Sequence, residues 1–236
     1  MKAVKKVVIG ILAAFGVIFL MLIGMALLSE LGIIENSSDE PQISIEYKPQ
    51  YIGEQIDEEA IPDSEYYASP EQAMKNSNSE ADPEQIYQKN IDEEIGRFEN
   101  ENYVSIYFRS VKDQNTECLT FAKFKKKMIE GEEMYTFITS IPTEIERTGV
   151  SIGTLESLIE GQLSLSDYTQ SINIDLENTR FVFGDCKSKK IYELKVEDQK
   201  PSGIIPYQIF GETRYFWYYE NLESDIAGTQ LEFTLE

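Results

Sequence analysis

Any chemistry in this chain has to be done without histidine, because its 236 residues include none. That removes Ser-His-Asp and Cys-His nucleophilic sites, and any His-ligated zinc site. Cys118 and Cys186 are the only cysteines, too few for a four-thiolate zinc site within one chain. The sequence contains no GxxxxGK[ST] or GxGxxG loop, no DxDxDG calcium loop and no Ser-x-x-Lys pair. No metal and no cofactor is expected. Carboxylate-pair chemistry survives the elimination, since a glycosidase can work with two Asp or Glu residues alone. Among 42 acidic residues, however, pairs such as Glu132 with Glu133 or Glu144 with Glu146 arise from composition and single out no site.

Three other groups of residues stand out. Cys118 and Cys186 lie near the starts of two strand-like runs, ECLTFAKF and DCKSKKIYEL. Outside the cytoplasm they could persist as a disulfide closing a loop of 67 intervening residues. Such a bridge is worth up to ~4 kcal/mol in the chain-entropy view. The alternative is two buried thiols acting as small apolar residues. Lys123, Lys125, Lys126 and Lys127 form one basic cluster, and Lys187, Lys189 and Lys190 a second. A disulfide would bring the two clusters into one neighbourhood, a positive patch for an acidic protein partner or an anionic envelope polymer. The competing reading has these lysines guarding exposed strand edges. Finally, RYFWYYE at residues 214–220 sets five aromatic side chains in a row. Alternation along a strand puts Tyr215, Trp217 and Tyr219 on one face and Phe216 and Tyr218 on the other. Aromatics on both faces favour a central, covered strand over a stacking platform for carbohydrate or peptide.

The elements that must position these residues follow from pattern. Residues 7–28, VVIGILAAFGVIFLMLIGMALL, begin at Val7, end at Leu28 and carry no charge. As a helix they would rise roughly 33 Å, enough for the ~30 Å hydrocarbon core of a bilayer. Lys2, Lys5 and Lys6 precede the run and acids follow it, so the expected orientation is a cytoplasmic tip at 1–6 and everything after the anchor outside. A cleaved signal peptide, with Gly24-Met25-Ala26 as a small-x-small site, is the alternative. Residues 29–236 hold 18 basic residues against 42 acidic ones, a net charge of −24. So acidic a surface argues against nucleic acid, whose backbone demands Lys and Arg.

Residues 29–68 are polar, acidic and punctuated by Pro41, Pro49 and Pro62. They read as an extended, disordered stalk. Order is expected from residue 69. SPEQAMKNS offers Ser69 as a helix cap, Pro70 at the first turn and Gln72 three residues after the cap. A second helix is expected after Asp82 and Pro83, with Ile86, Tyr87, Ile91 and Ile95 on one face, although residues 91–98 also suit a strand. The period then becomes two. YVSIYFRS reads as a strand, and LTFAKFKKKMIEGEEMYTFITSI as a hairpin turning at Glu130-Gly131. TLESLIEG breaks the pattern as a short helix, capped by Thr154, with Leu155, Leu158 and Ile159 on one face and Gly161 as its stop. SINIDL, RFVFGD, IYELKV, IIPYQIF, TRYFWYYE and GTQLEFTLE resume as strands, with Gly211-Glu212 as a two-residue turn. The expected fold is α+β: an N-terminal transmembrane helix, an acidic stalk, and one mainly antiparallel β domain at 69–236 with a few short helices. The expected role is a non-catalytic, membrane-anchored, extracytoplasmic protein of a bacterial envelope that binds a protein or envelope component. A carboxylate-dependent hydrolase of cell-wall glycan is the alternative.

Overall fold

Thr116–Ile129 (β3) and Glu132–Glu146 (β4) form the longest hairpin of the domain, joined by Glu130 and Gly131. Both turn residues have positive φ, 53° and 91°, the geometry of a type I′ turn that matches the twist of the flanking strands. This is the Glu-Gly turn expected from sequence. Glu93–Glu99 (β1) and Tyr103–Val111 (β2) complete an antiparallel sheet of order β1-β2-β3-β4. A second antiparallel sheet has the order β5-β8-β7, from Val182–Cys186 (β5), Gly203–Ile209 (β7) and Glu212–Tyr219 (β8). Leu194–Val196 (β6) pairs with Phe233–Leu235 (β9). In this computed structural model the described residues are 58–77, 83–147, 153–175 and 180–236. The apolar run at 7–28, most of the expected stalk and Asp82 lie outside them. Among the described residues no helix is long and apolar enough to cross a membrane.

The layers follow from which side chains alternate. Val104, Ile106, Phe108, Ala122 and Phe124 face one way from the first sheet and are covered by Ala73 and Met74 of the helix Pro70–Asn76 (α1). Tyr107, Leu119 and Phe121 face the other way and meet Tyr207, Ile209 and Phe216 of the second sheet, together with Phe181 just before β5. The far side of the second sheet, Val182, Tyr215, Trp217 and Tyr219, is covered by Ile159 and Leu163 of the helix Leu155–Leu165 (α2). The domain is therefore a face-to-face pair of sheets with a small helix on each outer side, stabilised mainly by apolar burial.

Both helix starts match the sequence expectation. Ser69 Oγ accepts from the Gln72 amide at 3.3 Å, and Thr154 Oγ1 from the Ser157 amide at 3.2 Å. Several expected elements take another form, each for a physical reason. Residues 58–68 belong to the domain instead of the stalk: Tyr66 is buried, and Tyr67 exchanges two backbone hydrogen bonds of 2.8 Å with Tyr135. The second helix shrinks to a 3-10 segment, Pro83–Lys89, and residues 93–99 form β1, because pairing with β2 buries Ile95 and Phe98 while Ile86 stays exposed. Gly161 does not stop α2, which continues until Leu163 reaches the core one turn beyond Ile159, and Leu158 points outward.

Of SINIDL, the described residues 171–175 are not a strand. The carbonyls at 172, 173 and 174 accept from Ser105 Oγ, Lys123 Nζ and Asn100 Nδ2 at 2.6, 2.8 and 2.9 Å, so no ladder is needed to satisfy them. IYELKV is strand only at 194–196, after a 3-10 turn over Lys189–Glu193. The final run is strand only over Phe233–Leu235. The β7–β8 turn is Phe210-Gly211, not Gly211-Glu212: φ is 51° and 78°, and Ile209 faces Glu212 across it. Phe210 adopts this disfavoured left-handed backbone while its ring packs against the intersheet core.

Candidate functional site

The basic strand comes first. Lys123 sits on β3 between Ala122 and Phe124, both fully buried, and is itself only 2 % exposed. Its Nζ donates to the Asn173 carbonyl at 2.8 Å and lies 4.1 Å from the centre of the Tyr103 ring. Burial lowers its pKa to about 8, with Glu58 pulling in the opposite direction. Lys125 Nζ donates to the Glu58 carbonyl at 3.0 Å and lies 3.7 Å from the Glu58 carboxylate, which also accepts from Tyr103 Oη at 2.6 Å. Lys126 pairs with Glu133 at 3.4 Å. Lys127 pairs with Asp63 at 2.5 Å and stands 5.4 Å over the Tyr66 ring. The cluster is thus occupied: three of its four lysines face the chain's own acidic residues, and the fourth is buried. It lies on an interior strand for most of its length, so the edge-guard reading does not describe Lys123 or Lys125.

Lys123 carries a pH dependence whose sign can be worked out. Its folded pKa lies below that of the unfolded lysine, 10.5, so the unfolded chain holds more protons between about pH 8 and 10.5. Stability should therefore rise with pH across that window, by on the order of 3 kcal/mol at most. Buried tyrosines work against this above pH 10. Tyr219 resists ionisation because it is buried, so folding is penalised once unfolded tyrosine ionises. Urea midpoints are expected to climb from pH 8 to about 10 and then fall. In Lys123→Met the climb should disappear; an unchanged climb would mean another group is responsible.

The second cluster sits apart, around the turn after β5. Lys187 pairs with Glu212 at 2.5 Å, while Lys189 and Lys190 are exposed. The disulfide that would have joined the clusters is absent. Cys118 and Cys186 are free and buried, on β3 and β5 of different sheets. Cys118 Sγ lies 3.5 Å from Thr120 Oγ1, and Cys186 Sγ donates to the Ser188 carbonyl at 3.5 Å. Burial raises both thiol pKa values, the setting of inert core cysteines.

The aromatic strand is core on both faces. Tyr215, Trp217 and Tyr219 are 4, 0 and 2 % exposed, so none offers a stacking face to a ligand. Phe216 stacks on Tyr107 with ring centres 4.2 Å apart, bridging the two sheets. Trp217 lies directly across from Gly184, where any Cβ would collide with its ring and with Gln162; glycine is required there by close approach. Tyr219 Oη accepts from the Val196 amide at 3.1 Å and donates to the Gln199 carbonyl at 3.0 Å, fixing the turn after β6.

Sequence reasoning passed over a polar node inside this strand pair. Arg214 Nε donates to Asp185 Oδ2, which also accepts from Tyr207 Oη at 2.7 Å. Burial alone would lower the pKa of Arg214, but the hydrogen bond and charge of Asp185 win and raise it. Burial and then Asp185 hold the hydroxyls of Tyr107 and Tyr207 neutral well past their usual range. The available signal was Asp185 itself, an acid set between Gly and Cys in an apolar strand. Arg180 makes a comparable joint: its Nη atoms reach Asp167 at 2.5 Å, Ser166 Oγ at 3.1 Å and the Ile226 carbonyl at 2.5 Å.

Of the acid pairs Glu132 with Glu133 and Glu144 with Glu146, one member of each is engaged by a tyrosine. Glu133 accepts from Tyr135 Oη and Glu144 from Tyr87 Oη, each at 2.5 Å. The hydrogen bond from Tyr135, with some help from Lys126, lowers the pKa of Glu133. A cleft of about 320 Å³ lies between α2 and the C-terminal residues, lined by Glu160, Ser164, Thr229, Leu231, Glu232 and Phe233. None of the expected site residues lines it. Among the described residues no group of three or more Cys, Asp or Glu side chains is placed to hold a metal.

These features define a class: a mainly antiparallel domain of two packed sheets and a two-stranded ladder, with few short helices, whose charged and aromatic clusters are largely absorbed by its own packing. Comparisons with known protein families, with curated proteins and with solved structures find no match to this chain.

Proposed function

We propose that this chain is a membrane-anchored, non-catalytic domain displayed outside the cytoplasm of a bacterial cell, where it binds a protein of the envelope. The uncharged run at residues 7–28, flanked by lysines before and acids after, supports the tether and its orientation. One surface observation carries the binding reading. Leu158 and Leu165 recur seven residues apart on α2 and are 38 and 59 % exposed; Tyr168 follows, 54 % exposed. With Gly161 between them, nothing within 4 Å of where its Cβ would be, they leave an apolar flank open on an otherwise acidic protein. Exposed apolar residues that recur along one helix and into the turn after it are candidates for an interaction surface.

Affinity capture of the full-length, membrane-embedded protein with crosslinking tests this. A reproducible protein partner is expected. Replacing Leu158, Leu165 and Tyr168 together by serine should abolish its capture while changing domain stability by no more than about 0.5 kcal/mol per site. Failure to recover any partner from native membranes would count against the reading. In the alternative, a glycan hydrolase, Glu160 and Glu232 in the cleft beside α2 are the candidate carboxylates. Release of reducing sugar from purified cell wall, lost in Glu160→Gln, would favour it.

A further inference from the structure

The lysines of β3 hold a particular kind of chain, and its chemistry can be read from what they hold. Residues 58–67 run along them as a strap with four fixed points. Glu58 is held by Tyr103 and Lys125, Asp63 by Lys127, and the Tyr66 ring lies beneath Lys127 in a buried slot. Tyr67 adds a two-hydrogen-bond bridge to Tyr135 on the outer edge of β4. The strap adds two side chains to the apolar packing, the buried Tyr66 and the half-buried Tyr67 at the margin of the cluster that holds Val104 and Phe124, while Asp63 and Lys127 are 63 and 45 % exposed. Exposed ion pairs hold weakly and are screened by salt. Such a segment can open while the sheets and α1 remain folded.

We propose that residues 58–67 are a built-in ligand, and that the groove beneath them accepts an acidic, tyrosine-bearing extended segment of a partner protein when the strap lifts. Each fixed point states a requirement. The Lys125 and Tyr103 pair takes a carboxylate, and Lys127 takes a second one five residues on. The slot takes an aromatic ring, and the open edge at Tyr135 takes the backbone of an added strand. The strap is tethered, so its effective concentration is on the order of millimolar. A free competitor must match that, or arrive already held near the domain. This proposal rests on the protein-binding reading above, but its test is separate from partner capture.

The test uses the full-length protein and follows hydrogen exchange at three amides. Those of Tyr67 and Tyr135 report the strap bridge, and that of Phe121, inside β3, reports the core. Lys125→Glu combined with Lys127→Glu should speed exchange at Tyr67 and Tyr135 about tenfold, leaving Phe121 unchanged. Adding Asp63→Lys to Lys127→Glu should restore part of the protection lost in Lys127→Glu alone. A synthetic peptide of residues 57–68, added at millimolar concentration to the unmodified protein, should free the Tyr67 amide while Tyr135 stays protected, because the peptide takes over the bridge. A peptide with Gln and Asn in place of its acids should leave both amides as protected as they are without it. Unchanged exchange in the double lysine variant, or equal displacement by the neutral peptide, would overturn the proposal.

Discussion

Replacing Trp217 with alanine is expected to lower the stability of the domain by about 3–5 kcal/mol, much of what a domain of this size has to spare. Trp217 is fully buried at the middle of β8, the central strand of its sheet. It lies over Gly184, meets Tyr219 edge-on at 6.2 Å and shares a cluster with Ile159 and Leu163 of α2. The neighbours cannot close the gap, because Gly184 has no side chain to advance and β8 is paired on both sides. Its Nε1 has no hydrogen-bond partner among the described residues. Trp217→Phe should therefore lose less than volume alone suggests, since it removes an unpaired donor along with the second ring. Urea unfolding followed by circular dichroism reads both variants; tryptophan fluorescence cannot, because Trp217 is the only tryptophan. A loss under ~2 kcal/mol for the alanine variant would mean that α2 does not seal this face.

The burial of RYFWYYE was legible because strand alternation is a local property, and the strand's neighbours are named by turns that are also local. The same holds for the Ser69 and Thr154 caps and for Glu130-Gly131. Even the misplaced β7–β8 turn left the faces of β8 correct, since alternation within a strand does not depend on which residues make the turn. What escaped was decided by distant partners. Residues 171–175 read as a strand by pattern, but Ser105 of β2, Lys123 of β3 and Asn100 of the β1–β2 turn take the carbonyls of residues 172–174. Residues 58–68 looked like stalk because their acids are uncompensated nearby; the compensating lysines lie some sixty positions away. Lys123 reads as one of a basic cluster, yet alternation puts it on the same face of β3 as Leu119 and Phe121, which point into the intersheet core. Between a bridge and two buried thiols the sequence is silent, because matching positions in two strand-like runs say nothing about which sheet each run joins; the cysteines here are buried thiols.

Asp185→Ala should be the other severe change, costing about 3–5 kcal/mol, and for a different reason from Trp217. Asp185 and Arg214 have side chains only 17 and 14 % exposed, so their charges meet with little water between them. Removing the carboxylate strands the Arg214 guanidinium, takes the acceptor from Tyr207 and leaves the Tyr107 and Tyr207 hydroxyls with less to hold them at the sheet interface. A buried ion pair is not itself a large source of stability, because desolvation offsets most of the attraction; the damage comes from leaving one charge alone. Asp185→Ala combined with Arg214→Met should therefore unfold at a higher urea concentration than Asp185→Ala alone, recovering at least half the loss. Asp185→Asn keeps an acceptor for Tyr207 but not the charge, and should fall between the two. If the double variant were no better than Asp185→Ala, the stranded guanidinium would not be the cause. The loss would then lie in the hydrogen bond from Tyr207, which Tyr207→Phe would reproduce by itself.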